Sequence, residues 1–290
     1  GDALLMYSLL RTNGFCVFLG KMAAMRCCRK GAPLSTRNYS QRKPLPRFLL
    51  PLFVICFCVC LVAVGVICWG YFQGNRMYNS VAQNALPNLD ASDDQVLDTH
   101  VDWDALREVN PETVAWVYVP DTEINYPIVQ AENNEKYLKT DFQGEVNWAV
   151  SYGAIFLDSN CAADFSDRNS FFYGHNMNNG AMFAALANFS DDQVFNNHRT
   201  VYLFTPECNY RLESFAFLHV PSTDSLVQSD MESDIHQRAY LQTQIDRSLA
   251  HPSEGFPTPG SIGHAYVLVT CDNLPSDGRY VLYCREVESR

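Results

Sequence analysis

An uncharged stretch of 28 residues, Phe48 to Asn75, constrains this chain more than any other feature of its sequence. As a helix it would be roughly 40 Å long at about 1.5 Å per residue, enough to cross a hydrocarbon core of about 30 Å. A secretory signal peptide is the alternative, but its apolar stretch usually has only about 7–15 residues and ends at small residues suited to cleavage. The pattern therefore favours an uncleaved transmembrane anchor over residues 48–72.

Charge is distributed very unevenly on the two sides of this stretch. Residues 1–76 carry 10 Lys/Arg and one acid, whereas residues 77–290 carry 11 Lys/Arg and 31 acids. The positive-inside rule predicts that residues 1–47 form a basic cytoplasmic tail of a single-pass membrane protein, with the chain from Arg76 onward outside the cell. Residues 1–24 are interpreted as an over-extended translation start, because Met22 or Met25 would begin a more usual short tail. The acidic outer part disfavours nucleic-acid binding.

The outer part is predicted to be mostly β. Residues 73–100 are expected to form a membrane-proximal helix and an acidic linker, and residues 101–290 a compact domain. Eight short β runs separated by turn residues are typical of a barrel or sandwich. Residues 181–189 and 229–251 are predicted to be helical insertions, the second with Ile235, Leu241, Ile245 and Leu249 on its apolar face. Because about 43 residues separate the flanking strands, we expect this insertion to form a lid or a groove wall. The predicted runs are 114–119, 124–130, 153–158, 170–174, 200–205, 210–220, 264–270 and 280–284.

Only four of the 11 cysteines lie in the outer domain: Cys161, Cys208, Cys271 and Cys284. None forms a C-x-x-C pair or has a partner histidine at zinc-site spacing, and the acidic residues show no calcium-loop spacing. We therefore predict no metal and no cofactor. Two disulfides are arithmetically allowed outside the cell, and a buried thiol is a second structural interpretation of any one of these cysteines.

Cys271 ends the β run VLVT, and Arg279 opens the run YVLYC after a turn-rich segment. If the two runs pair as antiparallel neighbours, the thiol and the guanidinium lie close together at one rim of the sheet. A guanidinium favours the thiolate and can hold an oxygen on which negative charge develops. His175 also follows a β run and is the best-placed proton donor, although His198 and His264 flank strands too.

YGHNM at 173–177, GAMF at 180–183, VTCD at 269–272 and Arg279 together resemble the class B sortases, membrane-anchored cysteine transpeptidases of Gram-positive bacteria. The resemblance covers roughly residues 101–288. It implies an eight-stranded sortase-type β-barrel with an N-terminal helix and a long helical insertion before the cysteine strand, preceded by one transmembrane helix. In this chain Val269 stands where many relatives have serine.

Carried over to these positions, the resemblance implies that Cys271 attacks the Thr carbonyl of a sorting motif, of the Asn-Pro-X-Thr type in this class. His175 would protonate the departing amine and deprotonate the incoming one, and Arg279 would brace the oxyanion. The implied partners are secreted proteins with a sorting signal and an amine of the lipid-linked peptidoglycan precursor or of a pilin. The implied substrate-binding residues are Asn133, Tyr137, Leu138 and Thr270, and Arg285 is the second candidate for the basic residue.

Two other interpretations stay open at the level of sequence. An anchored cysteine peptidase would use nearly the same residues but release its acyl intermediate to water. A surface scaffold or adhesin with a β-barrel ectodomain would keep Cys271 as a core or disulfide cysteine. Product analysis separates the first from a transpeptidase, and the reactivity of the Cys271 thiol separates the second.

Overall fold

The structure is a computed structural model, and nothing is described for the predicted tail, residues 1–47. It describes residues 48–86, 93–147, 149–228, 231, 233–275 and 277–290.

Eight strands close into one barrel in the order β1-β2-β3-β4-β7-β8-β6-β5. The pairs β2–β3 and β4–β7 are parallel, and the other neighbours are antiparallel. Each strand lies within about two residues of its predicted run at its start and within about five at its end. The bounds are β1 Thr113–Tyr118, β2 Asn125–Val129, β3 Ile155–Leu157, β4 Asn169–Tyr173, β5 Thr200–Phe204, β6 Asn209–Pro221, β7 Ala265–Cys271 and β8 Gly278–Ser289.

The barrel forms from these segments because β-branched and aromatic residues fill both its interior and its covered outer surface. In β7 every residue from Ala265 to Thr270 is buried, and the strand ends at the half-buried Cys271. A strand covered on both faces reads as a continuous apolar run rather than an alternating one. The mostly-β prediction and the eight-stranded barrel are confirmed.

The longest helix is α1, Leu49–Ala85, which continues without a break for 37 residues. It is long and apolar enough to cross a membrane, judged by length and composition. Its apolar first part is exposed, but Gly70, Tyr78, Val81 and Ala85 are buried against the barrel domain. The predicted membrane span and the predicted membrane-proximal helix are thus one element.

The described residues also form four shorter α-helices outside the barrel. α2 lies within the segment predicted as a linker, where Val96 and Leu97 are buried in the core. α3 begins after Asp102, whose side chain accepts a hydrogen bond from the Ala105 amide as an N-cap. The bounds are α2 Asp93–Leu97, α3 Trp103–Val109, α4 Asp192–Asn197 and α5 Asp234–Asp246.

The two predicted helical insertions are only partly as expected. Residues 181–189 contain a short 3-10 turn, Ala184–Asn188, because Met182 adopts a φ of 58° that no helix allows. α5 forms, but Ile235 is 74% exposed while Leu241 and Ile245 are buried. Six residues separate Ile235 from Leu241, which places them about 120° apart around a helix of 3.6 residues per turn. The predicted apolar face was therefore wrong at Ile235, and Leu249 lies beyond the helix and is exposed.

Candidate active site

One row across three neighbouring strands brings the predicted catalytic residues together. Cys271, the last residue of β7, is the register partner of Arg279 near the start of β8. On the other side β4 runs parallel to β7, with Tyr173 paired to Val269 and the Gly174 amide donating to the Val269 carbonyl at 3.1 Å. Two residues beyond that pair, the chain reaches His175, just after β4, and Cys271, at the end of β7. His175 and Arg279 therefore flank Cys271 at the same end of the barrel.

The thiol of Cys271 is half-buried at this rim. Cys208, Cys271 and Cys284 are all free cysteines, so the two disulfides considered from the sequence do not form. A partly accessible thiol beside a guanidinium is the environment in which cysteine acts as a nucleophile. The disulfide interpretation of Cys271 is wrong.

The imidazole of His175 is oriented by a backbone carbonyl. Its Nε2 lies 2.9 Å from the Leu138 carbonyl oxygen, and a carbonyl can only accept. Nε2 therefore carries a hydrogen, and Nδ1 is the ring nitrogen left to exchange a proton with a substrate. The ring edge also lies against Gly153, where an added Cβ would be 2.7 Å from His175 Cδ2. Gly153 has a φ of 60°, so glycine suits both its conformation and this close approach.

The guanidinium of Arg279 is held on one side only. Its Nη1 donates to Asp277 Oδ1 at 3.0 Å and to the Gly278 carbonyl at 2.9 Å. The hydrogen bonds that Arg279 makes to described residues all use Nη1, so that none of these bonds occupies Nε or Nη2. Hydrogen bonds from Ser222 and Arg279 lower the pKa of the Asp277 carboxyl, which favours its charged form beside the guanidinium.

Two asparagines that the sequence did not single out tie the histidine loop, residues 175–183, to the cysteine strand, β7. Asn176 Nδ2 donates to the Cys271 carbonyl at 3.0 Å, and Asn273 Nδ2 donates back to the Asn176 carbonyl at 2.6 Å. The two catalytic candidates are thus linked through their immediate chain neighbours. The only sequence signal was the position of Asn176 within the YGHNM motif.

A buried carboxylate supports the turn that follows the thiol. Asp272 Oδ2 lies 2.9 Å from His219 Nε2, and Asp272 Oδ1 accepts from the Leu274 amide at 2.9 Å. A Cβ at Gly278 would overlap both side chains of the pair, so glycine at 278 makes room for it. Residues distant in sequence therefore fix the backbone just after Cys271.

Comparison with known proteins decides the family. A family model for the sortase domain matches residues 117–287, more than half of the chain. This chain belongs to the sortase family.

Its relatives are sortases of class B. Sortase B of Listeria monocytogenes is 33% identical over 144 residues, which span 50% of this chain and 57% of that protein. The crystal structure of sortase B from Bacillus anthracis in complex with AAEK1 has a TM-score of 0.63 at 30% identity, covering 75% of this chain and 98% of that chain. Sortase B of Clostridium perfringens has a TM-score of 0.59 at 28% identity, covering 64% and 99%. The predicted family and fold are confirmed, and so is the enzyme class, cysteine transpeptidase.

The four predicted substrate-binding residues of this sortase lie in different settings. Asn133 is exposed, and its Oδ1 accepts from the Glu135 and Lys136 amides. Tyr137 is buried with its hydroxyl bonded to Asn110 and Glu112. Leu138 is exposed next to His175, whereas Thr270 is 2% exposed and its Oγ1 makes no hydrogen bond to the described residues. Their roles in substrate binding stay predictions.

Arg285 lies away from the catalytic row. Its register partner is Ala265, at the opposite end of β7 from Cys271, and it forms an ion pair with Glu213 at 2.7 Å. Arg279 is therefore the better-placed basic residue.

The connection between β6 and β7, which contains the long insertion, meets the two ends of the barrel with different parts. Ser222 Oγ donates to Asp277 at 2.8 Å beside the catalytic row. Gln237 of α5 donates to the carbonyls of Arg168 and Gly263, which precede β4 and β7 at the opposite end. The start of this connection, rather than α5, is thus the part next to the site, and the role of the insertion as a groove wall stays a prediction.

Proposed function

We propose that this sortase cleaves an Asn-Pro-X-Thr-type sorting signal of a secreted protein after Thr and transfers the acyl group to an amine. The row formed by His175, Cys271 and Arg279 carries the proposal. Sortases act on secreted proteins with sorting signals, and the acceptor amine we infer belongs to the lipid-linked peptidoglycan precursor or to a pilin subunit.

Acylation uses all three groups of the row. The Cys271 thiol gives its proton to Nδ1 of His175, and the sulfur attacks the Thr carbonyl carbon. The carbonyl electrons move to the oxygen, where Nε or Nη2 of Arg279 donates hydrogen bonds. The oxyanion collapses, the carbon–nitrogen bond breaks, and Nδ1 of His175 gives its proton to the departing amine. The product is a thioacyl enzyme with the C-terminal fragment released.

Deacylation reverses the proton transfers. The acceptor amine attacks the thioester carbonyl carbon, Nδ1 of His175 takes a proton from the amine, and the carbon–sulfur bond breaks. The Leu138 carbonyl supports both half-reactions because it holds the Nε2 hydrogen and so keeps Nδ1 directed to the substrate side.

We further propose that residues 48–72 anchor the enzyme in the cell membrane, with residues 1–47 cytoplasmic and the catalytic domain, residues 101–290, outside. The uncharged composition of the span and the basic residues that precede it support this orientation. Residues 73–100 then connect the span to the domain. This placement brings the site to the surface where secreted chains and lipid-linked precursors meet.

Product analysis tests the proposal. The full chain in detergent micelles is incubated with Asn-Pro-X-Thr and Leu-Pro-X-Thr peptides, with and without triglycine or hydroxylamine, and the products are identified by mass spectrometry. We expect the Asn-Pro-X-Thr acyl group joined to the added amine, and no product from the Cys271→Ala variant. Hydrolysis alone under every amine would indicate a peptidase, and no cleavage of either peptide would contradict the proposal.

A further inference from the structure

We infer that the end of α1 beyond the apolar span is a positioning element of the active site, which holds His175 through Tyr78 and Tyr152. The inference rests on the proposed function, because it assigns these tyrosines to the histidine that moves the proton. The helix α1 lies outside residues 117–287, which the sortase family model matches, whereas Tyr152 lies within them.

The first connection runs through Gly153. Tyr78 of α1 is buried, and its hydroxyl donates to the Gly153 carbonyl at 2.6 Å while accepting from the Phe142 amide at 3.1 Å. Gly153 is the residue against which the His175 ring edge rests, with an added Cβ 2.7 Å from Cδ2 and 2.9 Å from Nε2. Because the backbone of Gly153 leaves no space for the imidazole to move toward it, a displacement of Gly153 displaces the ring.

The second connection runs through Tyr152 to the far side of the histidine loop, residues 175–183. The Tyr152 hydroxyl donates to the Tyr71 carbonyl at 3.0 Å or to Asn75 Oδ1 at 2.8 Å, both on α1. It also accepts from Asn179 Nδ2 at 2.7 Å, within the histidine loop. One hydroxyl thus joins the helix to the loop that carries His175.

Gly74 makes this contact possible. A Cβ at Gly74 would overlap the ring of Tyr152, whereas a Cβ at Gly65, on the same helix, would meet nothing within 4 Å. Gly70 is similar to Gly74, because its Cβ would lie 3.0 Å from Val150. The two glycines are four residues apart and therefore share one helix face, which lets α1 approach residues 150–153 closely.

These contacts form a continuous path from α1 to the imidazole. Phe183 N donates to the His175 carbonyl at 2.9 Å and closes the base of the loop, so that a shift of Asn179 is transmitted within a short, bonded segment. Misplacement of a catalytic group by about 1 Å can lower a rate by about 100-fold. The helix that is long enough to cross the membrane thereby also sets the geometry of proton transfer.

A matched pair of glycine variants tests the inference in the full-length enzyme in detergent micelles. We expect Gly74→Val to lower kcat by about 10- to 100-fold with KM for the peptide changed less than twofold. Gly65→Val adds the same side chain to the same helix and should leave both constants at the wild-type values. Tyr78→Phe, which keeps the ring and removes the hydroxyl, should lower kcat by about 10-fold, and Tyr71→Phe should not.

A spectroscopic readout separates this inference from the proposed function. With isotope-labelled histidine and His175→Gln to assign the signal, Gly74→Val and Tyr78→Phe should shift the His175 imidazole resonances, and Gly65→Val should not. If the wild type transferred no peptide, the proposed function would fail while these spectra still decided the inference. Wild-type His175 resonances in both Gly74→Val and Tyr78→Phe would overturn it, as would equal shifts in Gly65→Val.

Discussion

The β7–β8 hairpin carries a cysteine near each end, and the two thiols lie in opposite surroundings. Cys271 faces Arg279 across the hairpin and is half-buried at the barrel rim. Cys284 faces Tyr266 and is fully buried, and this burial raises the pKa of its thiol. The reactivity of a thiol in this hairpin therefore depends on its position in the barrel rather than on residue type. Cys271 at the rim is available for chemistry, whereas Cys284 is a core residue.

The largest effect is expected from removing the Cys271 thiol, which tests the difference between the two cysteines directly. Cys271→Ala should lower the rate of acyl transfer at least about 1,000-fold, because it removes the sulfur on which the thioester is proposed to form. Cys284→Ala should keep the rate within about threefold of wild type, since that thiol only packs. The measurement is kcat/KM for ligation of a sorting peptide to an added amine. Similar losses in the two variants would contradict the distinction between the thiols.

Changing the partner across the hairpin should have the next largest effect. Arg279→Lys keeps the charge but loses the planar fork of donors, so we expect kcat to fall about 10- to 100-fold. Arg285→Lys is the matched control, because Arg285 is on the same strand and bonds to Glu213 away from the row. Its kcat should stay within about twofold of wild type. An unchanged rate in Arg279→Lys would remove Arg279 from the mechanism.

A smaller effect is expected from the clamp, by which we mean the Asn176 and Asn273 hydrogen bonds between the histidine loop and the cysteine strand. Asn176→Ala removes the hydrogen bond to the Cys271 carbonyl, and kcat should fall about 10-fold because the two catalytic groups lose their fixed spacing. Asn196→Ala is the control, since its amide also bonds to backbone carbonyls, those of Asp192 and His251, on another part of the surface. Equal kcat values for the two variants would show that the clamp is dispensable.

The smallest effect concerns the buried thiol and alkaline pH. Burial raises the pKa of Cys284 above the value of about 8.5 that it has in an unfolded chain. The folded state therefore keeps a proton that the unfolded state loses, and its stabilisation is complete below pH 8.5 and decreases as the pH rises further. Between pH 8.5 and 9.5 the free energy of unfolding should fall more steeply in wild type than in Cys284→Ala, by up to about 1.4 kcal/mol per pH unit. Parallel pH profiles would contradict this assignment.

Much of the fold could be predicted because its information is local. Apolar runs and turn residues located all eight strands, and the turn between Cys271 and Arg279 indicated an antiparallel hairpin before its register was known. The apolar face of α5 was less predictable, because Ile235 is not at helical spacing from either of the buried residues Leu241 and Ile245. The true face includes the buried residues Gln237 and Gln244, and the Gln237 amide donates to the distant carbonyls of Arg168 and Gly263.

The rest of the site depends on contacts between distant segments, which spacing does not reveal. Gly153 lies in a loop with no motif, and its approach to His175 follows from the barrel register. Tyr78 belongs to a helix that the sequence divides into an apolar span and a polar remainder, yet it bonds to a residue 75 positions away. His219 lies on β6 and Asp272 directly follows β7, and these two strands are neighbours of β8 rather than of each other.

The central claim is that the thiol at the rim forms the acyl intermediate, and one measurement tests it most directly. The full-length enzyme is mixed with an Asn-Pro-X-Thr peptide without an amine, quenched with acid within milliseconds to seconds, and measured by intact-protein mass spectrometry. We predict a mass increase equal to the acyl fragment, located by fragmentation in segment 248–279, whose only cysteine is Cys271. Ligated product formed with the adduct on another cysteine, or with no adduct under any quench time, would contradict the account.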